Sequence, residues 1–367
     1  MAKYKLDELC EFITDGTHQT PEYCEEGGVI FLSSKDVTER KINWDDVKYI
    51  PESLHQKLYK RLSPKLNDIL LAKNGTTGVA AIVDRDEVFD VYVSLAVLRP
   101  LESVYPKYLL YAINSPVAKR QFNAGLKGIG VPNLHLGVIR ETVVNVAPRD
   151  EQEKICEILD KVSSVIDSRK AELSALDDLI KARFVEMFGD PIINSKNKDT
   201  QDLKDVLVLK AGDFTAASDI SEEPTETNIY PCYGGNGIRG YVADYNQEGE
   251  YSLVGRQGAL SGNVQYAEGK FRNTEHALLV TPIIEMNSIW LNQLLINLDL
   301  KRYQTGAAQP GLSVKNLQEI PIIMVSIDEQ NRYADFVKQV DKSKVTVQKA
   351  LDETQLLFDS LMQKYFG

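Results

Sequence analysis

The sequence predicts an α+β chain built as an internal repeat, in which two similar globular domains are each followed by one long helix. Three observations predict this. The chain matches itself at a shift of 178 residues, two long stretches carry a coiled-coil pattern, and the regions before them alternate strand-like runs with glycine turns. The 367 residues suffice for two or three domains, each with its own core.

The repeat is clearest around the start and end of each long stretch. At the shift of 178, the run Asp-Glu-Gln at 150–152 falls on the same run at 328–330, and Phe-Gly at 188–189 falls on Phe-Gly at 366–367. Upstream, Leu-Ala-Lys-Asn-Gly at 71–75 aligns with Val-Gly-Arg-Gln-Gly at 254–258. The repeat predicts globular domains over 1–150 and 190–328 and spacer helices over 151–189 and 329–367.

The globular regions are rich in short apolar runs bounded by turns, which is typical of strands. The runs predict strands at 29–32, 68–71, 79–83, 91–98, 251–254 and 277–280. Helices are predicted over 106–114 and 289–303. Each globular region therefore reads as α+β.

The two long stretches carry mostly apolar residues at alternating steps of four and three, which is the 3.5-residue spacing of a coiled-coil seam. The seam residues are Leu159, Val162, Ile166, Leu173, Leu176 and Ile180 in the first stretch, and Val337, Val340, Val347, Leu351, Phe358 and Leu361 in the second. We expect the helices to pack antiparallel with the globular domains at opposite ends. The alternative is that each helix lies on its own domain.

The ends and the charged positions of the seam carry further expectations. Asp150 and Asp328 stand where N-caps belong, and Gly-Asp-Pro at 189–191 is expected to end the first helix. Arg169, Arg183 and Lys344 interrupt the apolar seam. We expect these cations to extend their charges to solvent or to pair with a partner protein.

Composition excludes several classes of protein. No apolar stretch is long enough for a membrane helix and the N-terminus lacks a signal-peptide core, so we expect a cytoplasmic protein without membrane contact. The four cysteines form no CxxC pair, which argues against a disulfide scaffold and a cysteine-rich zinc site.

Short motifs that would indicate catalysis do not survive inspection of their context. The GxGxxG match at 235–240 precedes a strand-like Tyr-Val instead of opening a helix. Asp244 with Glu268 only loosely resembles a nuclease metal cluster, and His18 near Cys10 and Cys24 is a weak metal signal. With no phosphate-binding loop either, we expect no catalytic residue, no metal and no cofactor bound by this chain.

Polar, basic and glycine-bearing loops remain, and they fall at equivalent places in both domains. Arg, Lys, Asn and Gln suit base edges, whereas Ser, Thr and backbone amides suit phosphates. The DNA-binding candidates are Thr17, His18, Ser33, Ser34, Lys35, Lys73, Asn74, Thr76, Thr77 and Lys127 in the first domain, and Asn236, Arg239, Arg256, Gln257, Arg272 and Gln309 in the second. For any one of them a solvated loop position is the alternative.

Along its full length the chain resembles the specificity subunits of Type I restriction–modification systems. The resemblance rests on KLDEL at 5–9, FLSSKDV at 31–37, YPCYGGNGIRGY at 230–241 and QPGLSVKNLQEIP at 309–321. The Asp-Glu-Gln runs lead into the long helices as in that family's spacer helices.

The resemblance implies two target recognition domains that each read half of a split sequence in double-stranded DNA, with the helix pair as a ruler. It also implies two modification subunits docked on the helices, which bind S-adenosylmethionine and methylate adenine, and restriction subunits that translocate and cut.

The charge balance is unusual for a DNA-binding protein. The whole chain carries −11; residues 1–150 carry 19 basic and 20 acidic side chains, and residues 190–328 carry 11 and 18. Phosphate neutralisation normally favours a basic surplus. We expect basic loops concentrated on one face and partners that supply phosphate contacts. A lone DNA methyltransferase or nuclease and a purely architectural coiled-coil adaptor remain the alternatives.

Overall fold

The computed structural model describes residues 1–25, 27–38, 40–126, 132–258, 260–306 and 310–367. It divides into two compact units, Met1–Arg169 with Ala350–Gly367, and Lys170–Lys349. Each unit contains a globular region and part of each long helix. The first unit is built from two separate stretches of the chain, so the two units group residues differently from the predicted ranges, whose bounds stay a prediction.

The first unit is a set of small sheets with short helices packed against them. Its strands are β1 (Ala2–Lys5), β2 (Cys10–Asp15), β3 (Val29–Leu32), β4 (Val37–Thr38), β5 (Lys41–Ile42), β6 (Lys48–Ile50), β7 (Ile69–Ala72), β8 (Ala80–Ile82), β9 (Phe89–Val91), β10 (Leu95–Pro100) and β11 (Val143–Val146). Its helices are α1 (Glu52–Tyr59), α2 (Pro106–Ile113), α3 (Pro116–Ala124), α4 (Leu136–Glu141) and the start of α5 (Arg149–Phe188).

The second unit follows a related plan with longer strands. Its strands are β12 (Thr200–Asp202), β13 (Leu207–Ala211), β14 (Tyr230–Gly234), β15 (Gly237–Val242), β16 (Gln247–Gly255), β17 (Val264–Asn273), β18 (Ala277–Pro282) and β19 (Pro321–Ile323). Its helices are α6 (Leu203–Val206), α7 (Ser288–Asn297), α8 (Val314–Leu317) and most of α9 (Ile327–Phe366).

The sheets of the two units share a connection pattern. In the first unit the main sheet has the order β2-β10-β7-β8, and β3 pairs parallel with β9 beside it. In the second unit the sheet has the order β13-β18-β16-β17-β14-β15, and β14 pairs parallel with β17. In both units a short two-stranded sheet, β1-β11 or β12-β19, precedes the long helix.

A buried glutamine shows that both units enter the helices in the same way. Gln152 and Gln330 are each 2% exposed. The side chain of Gln152 accepts from Tyr105 N at 2.8 Å and donates to Ala147 O at 2.9 Å. Gln330 accepts from Asn287 N at 2.9 Å and donates to Val325 O at 3.0 Å. These paired bonds satisfy backbone groups that burial would otherwise leave unpaired.

The long helices pack antiparallel in each unit, as predicted. In the first unit the end of α9 packs beside the start of α5, because Asn145 next to α5 donates to Gly367 O at 2.6 Å. In the second unit the ring of Tyr333 lies 5.5 Å from that of Phe184, and Lys344 Nζ lies 2.5 Å from Asp177 Oδ1. Residues later in α9 thus face residues earlier in α5, which confirms the antiparallel arrangement.

The predicted seam residues are all sheltered from solvent. They fall into two groups by side-chain exposure. Buried are Leu159, Ile166, Ile180, Val337, Val340, Val347 and Phe358. Half-buried are Val162, Leu173, Leu176, Leu351 and Leu361.

Two of the seam cations have partners on the helices themselves. Lys344 pairs with Asp177, and Arg183 pairs with Glu186 at 2.7 Å. The Arg183 guanidinium also lies 5.7 Å from the ring centre of Phe336. Arg169 is half-buried, and its Nε atom is buried without a hydrogen-bond partner among the described residues.

The predicted N-caps were wrong. Helix α9 begins at Ile327, one residue before Asp328, and Ser326 caps it: Ser326 Oγ accepts from Glu329 N at 3.3 Å while Ser326 N donates to Glu329 Oε2 at 3.2 Å. This is a capping box, for which serine is well suited because its short side chain reaches the first free amides. Asp150 likewise lies within the first turn of α5. The end of that helix is as predicted, with Gly189 at φ +86° after Phe188.

Two predicted elements are interrupted. The run at 91–98 divides into the end of β9 and the start of β10, because residues 92–94 leave the strand. The helix predicted over 289–303 ends at Asn297, because Asp299 adopts a left-handed conformation with φ 47° before a 3₁₀ turn at Leu300–Tyr303. The other strand predictions agree with observed strands to within a few residues.

Candidate nucleic-acid interface

The segment 91–94 is where the predicted loops of the first unit meet; we call it the first junction. Thr17 N donates to Val91 O at 3.1 Å, and Val93 N donates back to Thr17 O at 2.9 Å. Lys73 N donates to Ser94 O at 2.8 Å, and Ser94 Oγ accepts from Ser34 N at 2.9 Å. Three loops that are distant in sequence, around residues 17, 34 and 73, are therefore held on one short segment.

The loop around Ser34 has its own internal support. Asp36 Oδ2 accepts from Ser33 N at 2.6 Å and from Ser33 Oγ at 3.1 Å. Burial raises the pKa of the Asp36 carboxyl, although the bonds from Ser33 act in the opposite direction. Thr76 Oγ1 donates to Val37 O at 3.2 Å, which joins the loop after β7 to the same support.

Lys73 does not lie in a solvated loop. Its Nζ lies 2.5 Å from Asp15 Oδ2, and the two side chains are only 7% and 10% exposed. Asp15 also lies 3.4 Å from Nε2 of His18, whose side chain is 75% exposed. In this conformation the Lys73 ammonium is occupied by a buried ion pair. That Lys73 contacts DNA stays a prediction, whereas the ion pair with Asp15 gives this lysine a structural role.

The segment 273–276 has the same function in the second unit; we call it the second junction. Asp213 N donates to Asn273 O at 3.1 Å, and Arg256 N donates to His276 O at 3.0 Å. Thr274 N donates to Tyr233 O at 3.2 Å. The side chain of His276 lies 3.1 Å from Gln257 Oε1.

Three backbone bonds of the first junction, and a fourth bond beside it, recur at the second junction. The bond from Thr17 N to Val91 O corresponds to the bond from Asp213 N to Asn273 O. The bond from Tyr92 N to Leu32 O corresponds to the bond from Thr274 N to Tyr233 O. The bond from Lys73 N to Ser94 O corresponds to the bond from Arg256 N to His276 O. The bond from Leu134 N to Lys73 O corresponds to the bond from Leu312 N to Arg256 O. The internal repeat therefore includes the junction itself, a short segment to which several loops are hydrogen-bonded in each unit. It also agrees with the sequence alignment of 71–75 with 254–258.

A glycine stands at the closest approach in each unit. A Cβ atom on Gly16 would lie 1.9 Å from Val91 O, and one on Gly212 would lie 2.1 Å from Asn273 O. Real Cβ atoms do not come this close to a carbonyl oxygen. Only glycine lets the first loop pass so near the junction segment.

The remaining candidates differ in exposure. Exposed side chains belong to Lys35, Thr76, Asn236, Arg239 and Gln257. Half-buried side chains belong to Thr17, Ser33, Ser34, Asn74, Thr77, Arg256 and Arg272. Lys127 and Gln309 lie outside the described residues. All of these assignments to DNA stay predictions.

Besides Gln257, which lies beside His276, two candidates of the second unit have partners within the chain. Arg272 donates from Nε to Thr215 Oγ1 at 2.9 Å and from Nη1 to Asp244 Oδ2 at 2.8 Å. Asn236 Oδ1 accepts from Asn263 Nδ2 at 3.0 Å. Asp244, weighed as a nuclease ligand from the sequence, is thus an ion-pair partner.

Sequence reasoning missed the junction segments themselves. Ser94 binds the loops but lies in a run predicted as strand, and His276 stands just before another, so only the three-dimensional pairing identifies them. Within the described ranges, no group of three or more His, Cys, Asp or Glu side chains is arranged to hold a metal ion. Over those same ranges, no helix is both long and apolar enough to cross a membrane.

Two copies of one loop-gathering junction, joined by an antiparallel helix pair, define a two-domain recognition scaffold. The chain matches the family model of the Type I restriction modification DNA specificity domain twice, over residues 1–177 and 195–354. It belongs to this family. The family resemblance found in the sequence and the α+β repeat fold are thereby confirmed.

Named relatives and solved structures agree with this family. The Type I restriction enzyme EcoprrI specificity subunit of Escherichia coli is 38% identical over 194 residues, which is 52% of this chain and 48% of that relative. The chain thus matches about half the length of that relative. The crystal structure of the Type-I restriction-modification system S subunit from M. genitalium has a TM-score of 0.59 at 18% identity, covering 100% of this chain and 96% of that one.

A further solved structure has the same fold. That structure concerns complex assembly and conformational transition of the type I R-M system. Its TM-score is 0.56 at 17% identity, and the match covers 99% of this chain and 97% of that one.

Proposed function

We propose that this chain is the DNA-specificity subunit of a Type I restriction–modification complex. Each globular unit reads one half of a bipartite target in double-stranded DNA, and the helix pair sets the spacer between the halves. The observation that carries the proposal is the double junction, in which equivalent backbone bonds gather equivalent loops in both units. Family membership supports the same role.

The side chains around the junctions have the chemistry that base reading needs. Arg239 and Gln257 are exposed in the second unit, and an arginine or glutamine can bind a base edge through two hydrogen bonds. Thr17 and Ser34 belong to loops that suit phosphate contacts in the first unit. The second unit therefore carries side chains suited to sequence recognition, and the first carries side chains suited to contacts with the DNA backbone.

The chain itself is non-catalytic in this proposal. Two modification subunits dock on the helices, bind S-adenosylmethionine and methylate adenine, and restriction subunits join them to translocate and cut. Apolar side chains exposed on the helices favour docking: Ile158 is 41% exposed, Val165 42% and Leu356 70%. The net charge of −11 also favours partners that supply part of the phosphate contact.

Methylome sequencing of cells that express the chain with its modification subunits tests the proposal. We expect one split motif with adenine methylation in both halves. Arg239→Ala should relax the half read by the second unit only, by about 1–3 kcal/mol per lost bidentate contact. Lys315→Ala, on helix α8, is the matched control and should leave the motif unchanged. A continuous motif, or equal damage to both halves, would contradict the proposal.

A methyl-transfer assay on the isolated chain tests the enzymatic alternative. With labelled S-adenosylmethionine and target DNA, the chain alone should transfer no label, and transfer should begin when the modification subunits are added. Transfer by the purified chain alone would make it an enzyme. Unselective methylation by the complex, with no change when junction residues are altered, would instead support a purely architectural adaptor.

A further inference from the structure

Phe214 is an apolar ring that the protein holds in solvent beside the second junction. Its exposure is 76%. The residues on both sides of it are fixed: Asp213 N donates to Asn273 O at 3.1 Å, and Thr215 is only 7% exposed while its Oγ1 accepts from Arg272 Nε at 2.9 Å. The ring therefore projects from an anchored backbone, although apolar surface is normally removed from water.

The first unit presents a ring at the equivalent position. The matching junction bonds pair Asp213 with Thr17, so Phe214 corresponds to His18. The side chain of His18 is 75% exposed. In both units a glycine two residues earlier, Gly16 or Gly212, makes the close approach that anchors the loop. A protruding ring thus recurs beside each junction, with a polar ring in one unit and an apolar ring in the other.

Base-edge chemistry indicates what an apolar ring can recognise there. The edges that base pairs show in the major groove are hydrogen-bonding groups, with the C5-methyl group of thymine as the apolar exception. Arg256 and Gln257, in the loop whose backbone binds His276 of the same junction, offer hydrogen bonds but no apolar ring. Phe214 complements them by supplying the apolar contact.

We propose that Phe214 contacts the C5-methyl group of a thymine in the half-site read by the second unit, and so determines specificity at that base pair. This inference rests on the proposed function. To the proposed function it adds a specificity residue that was not among the DNA-binding candidates, and it names the chemical group on the DNA that this residue contacts. A wedge inserted between bases would also use an apolar ring, but it would not depend on the methyl group.

Uracil substitution isolates the methyl group, because uracil differs from thymine only by its absence. Once methylome sequencing has given the motif, each thymine of the second half-site is replaced singly by uracil. Binding of the duplexes to the complex of the full chain with its modification subunits is then measured by competition at fixed salt. For the unaltered complex we expect one position at which uracil weakens binding about fourfold, the effect of one buried methyl-sized group.

The Phe214→Ala variant completes the test. It should bind the thymine duplex about as weakly as the uracil duplex, and uracil should cause no further loss. Phe214→Leu should retain part of the thymine preference. Ile193→Ala removes a side chain that is 72% exposed in the same unit but lies in the turn after α5, and it should behave like the unaltered chain. Thymines of the first half-site should respond alike in all variants.

Several results would overturn the inference. These are a second half-site without an A·T pair, uracil tolerated at every position by the unaltered complex, or a uracil effect that persists in Phe214→Ala. Equal weakening of thymine and uracil duplexes by Phe214→Ala, with no thymine preference in the unaltered complex, would identify a wedge instead. Failure of the proposed function looks different, because the unaltered complex would then show no preference for either half-site.

Discussion

The Gly16→Ala substitution tests whether the junctions hold the recognition loops. The added methyl carbon would lie 1.9 Å from Val91 O, well inside the 3.0 Å that Cβ contacts respect. The loop must therefore move by about 1 Å or more. That movement would stretch the bonds from Thr17 N to Val91 O and from Val93 N to Thr17 O, now 3.1 and 2.9 Å, beyond good hydrogen-bond length.

The expected cost follows from these contacts. Two backbone bonds contribute about 0.5–1.5 kcal/mol each, and strain from overpacking adds about 1–3 kcal/mol. We therefore expect Gly16→Ala to destabilise the first unit by about 2–5 kcal/mol. Gly137→Ala is the matched control in the same unit, because a Cβ there meets nothing within 4 Å. Alanine in that helix should be neutral or slightly stabilising.

The assay uses the two tryptophans, Trp44 and Trp290, of which each compact unit contains one. In a Trp290→Phe background, urea unfolding followed by Trp44 fluorescence reports on the first unit alone. Methylome sequencing then shows which half of the motif is lost. Gly16→Ala should lower the first unit's unfolding midpoint and damage one half-site only. If Gly16→Ala matches Gly137→Ala in both measurements, the junction does not hold the loops.

Three further predictions concern the ion pair, the helix cap and the helix length. Lys73→Met leaves the buried Asp15 carboxylate without its lysine and should lower the free energy of unfolding of the first unit by about 3–5 kcal/mol. Adding Asp15→Asn should restore most of that stability, as unfolding followed by Trp44 fluorescence would show. No recovery in the double variant would contradict the pairing. The Ser326 hydroxyl lowers the pKa of Glu329, so Ser326→Ala should cost about 0.5–2 kcal/mol at neutral pH. Because a lowered folded-state pKa stabilises only while the group is ionised, the part of that cost due to the bond from Ser326 Oγ to Glu329 Oε2, 2.9 Å long, should disappear as the pH falls through the pKa of the folded carboxyl, whereas the cap bond from Glu329 N persists. A cost independent of pH would refute the bond to the carboxylate. Finally, seven residues added after position 174 of α5 and after position 352 of α9 preserve the seam and lengthen each helix by ~10 Å. The preferred DNA spacer should then grow by about three base pairs, with weakened modification because one half-site also rotates; an unchanged spacer at full activity would refute the ruler.

The features that the sequence predicts well are those that depend on a local periodic spacing of apolar residues. The 3.5-residue spacing identified two helices, observed at 40 residues each, because burial of one helix face leaves a periodic trace. Non-local pairing leaves none. Nothing near Lys73 in the chain indicates Asp15, its partner 58 residues away. The break at Tyr92–Ser94 lies in an apolar run, and only the loops that bind there explain why the strand ends.

The division of labour at the junctions explains how one scaffold can present different surfaces. The four recurring bonds are all made by backbone N–H and C=O groups, so they do not depend on which side chains the residues carry. Lys73 and Arg256 donate equivalent backbone bonds, yet the Lys73 ammonium is buried against Asp15, whereas the Arg256 side chain forms no hydrogen bond or ion pair with the described residues. His18 and Phe214 differ in the same way, one ring polar and the other apolar. Side chains at these positions can therefore change what is read while the backbone that holds them stays the same.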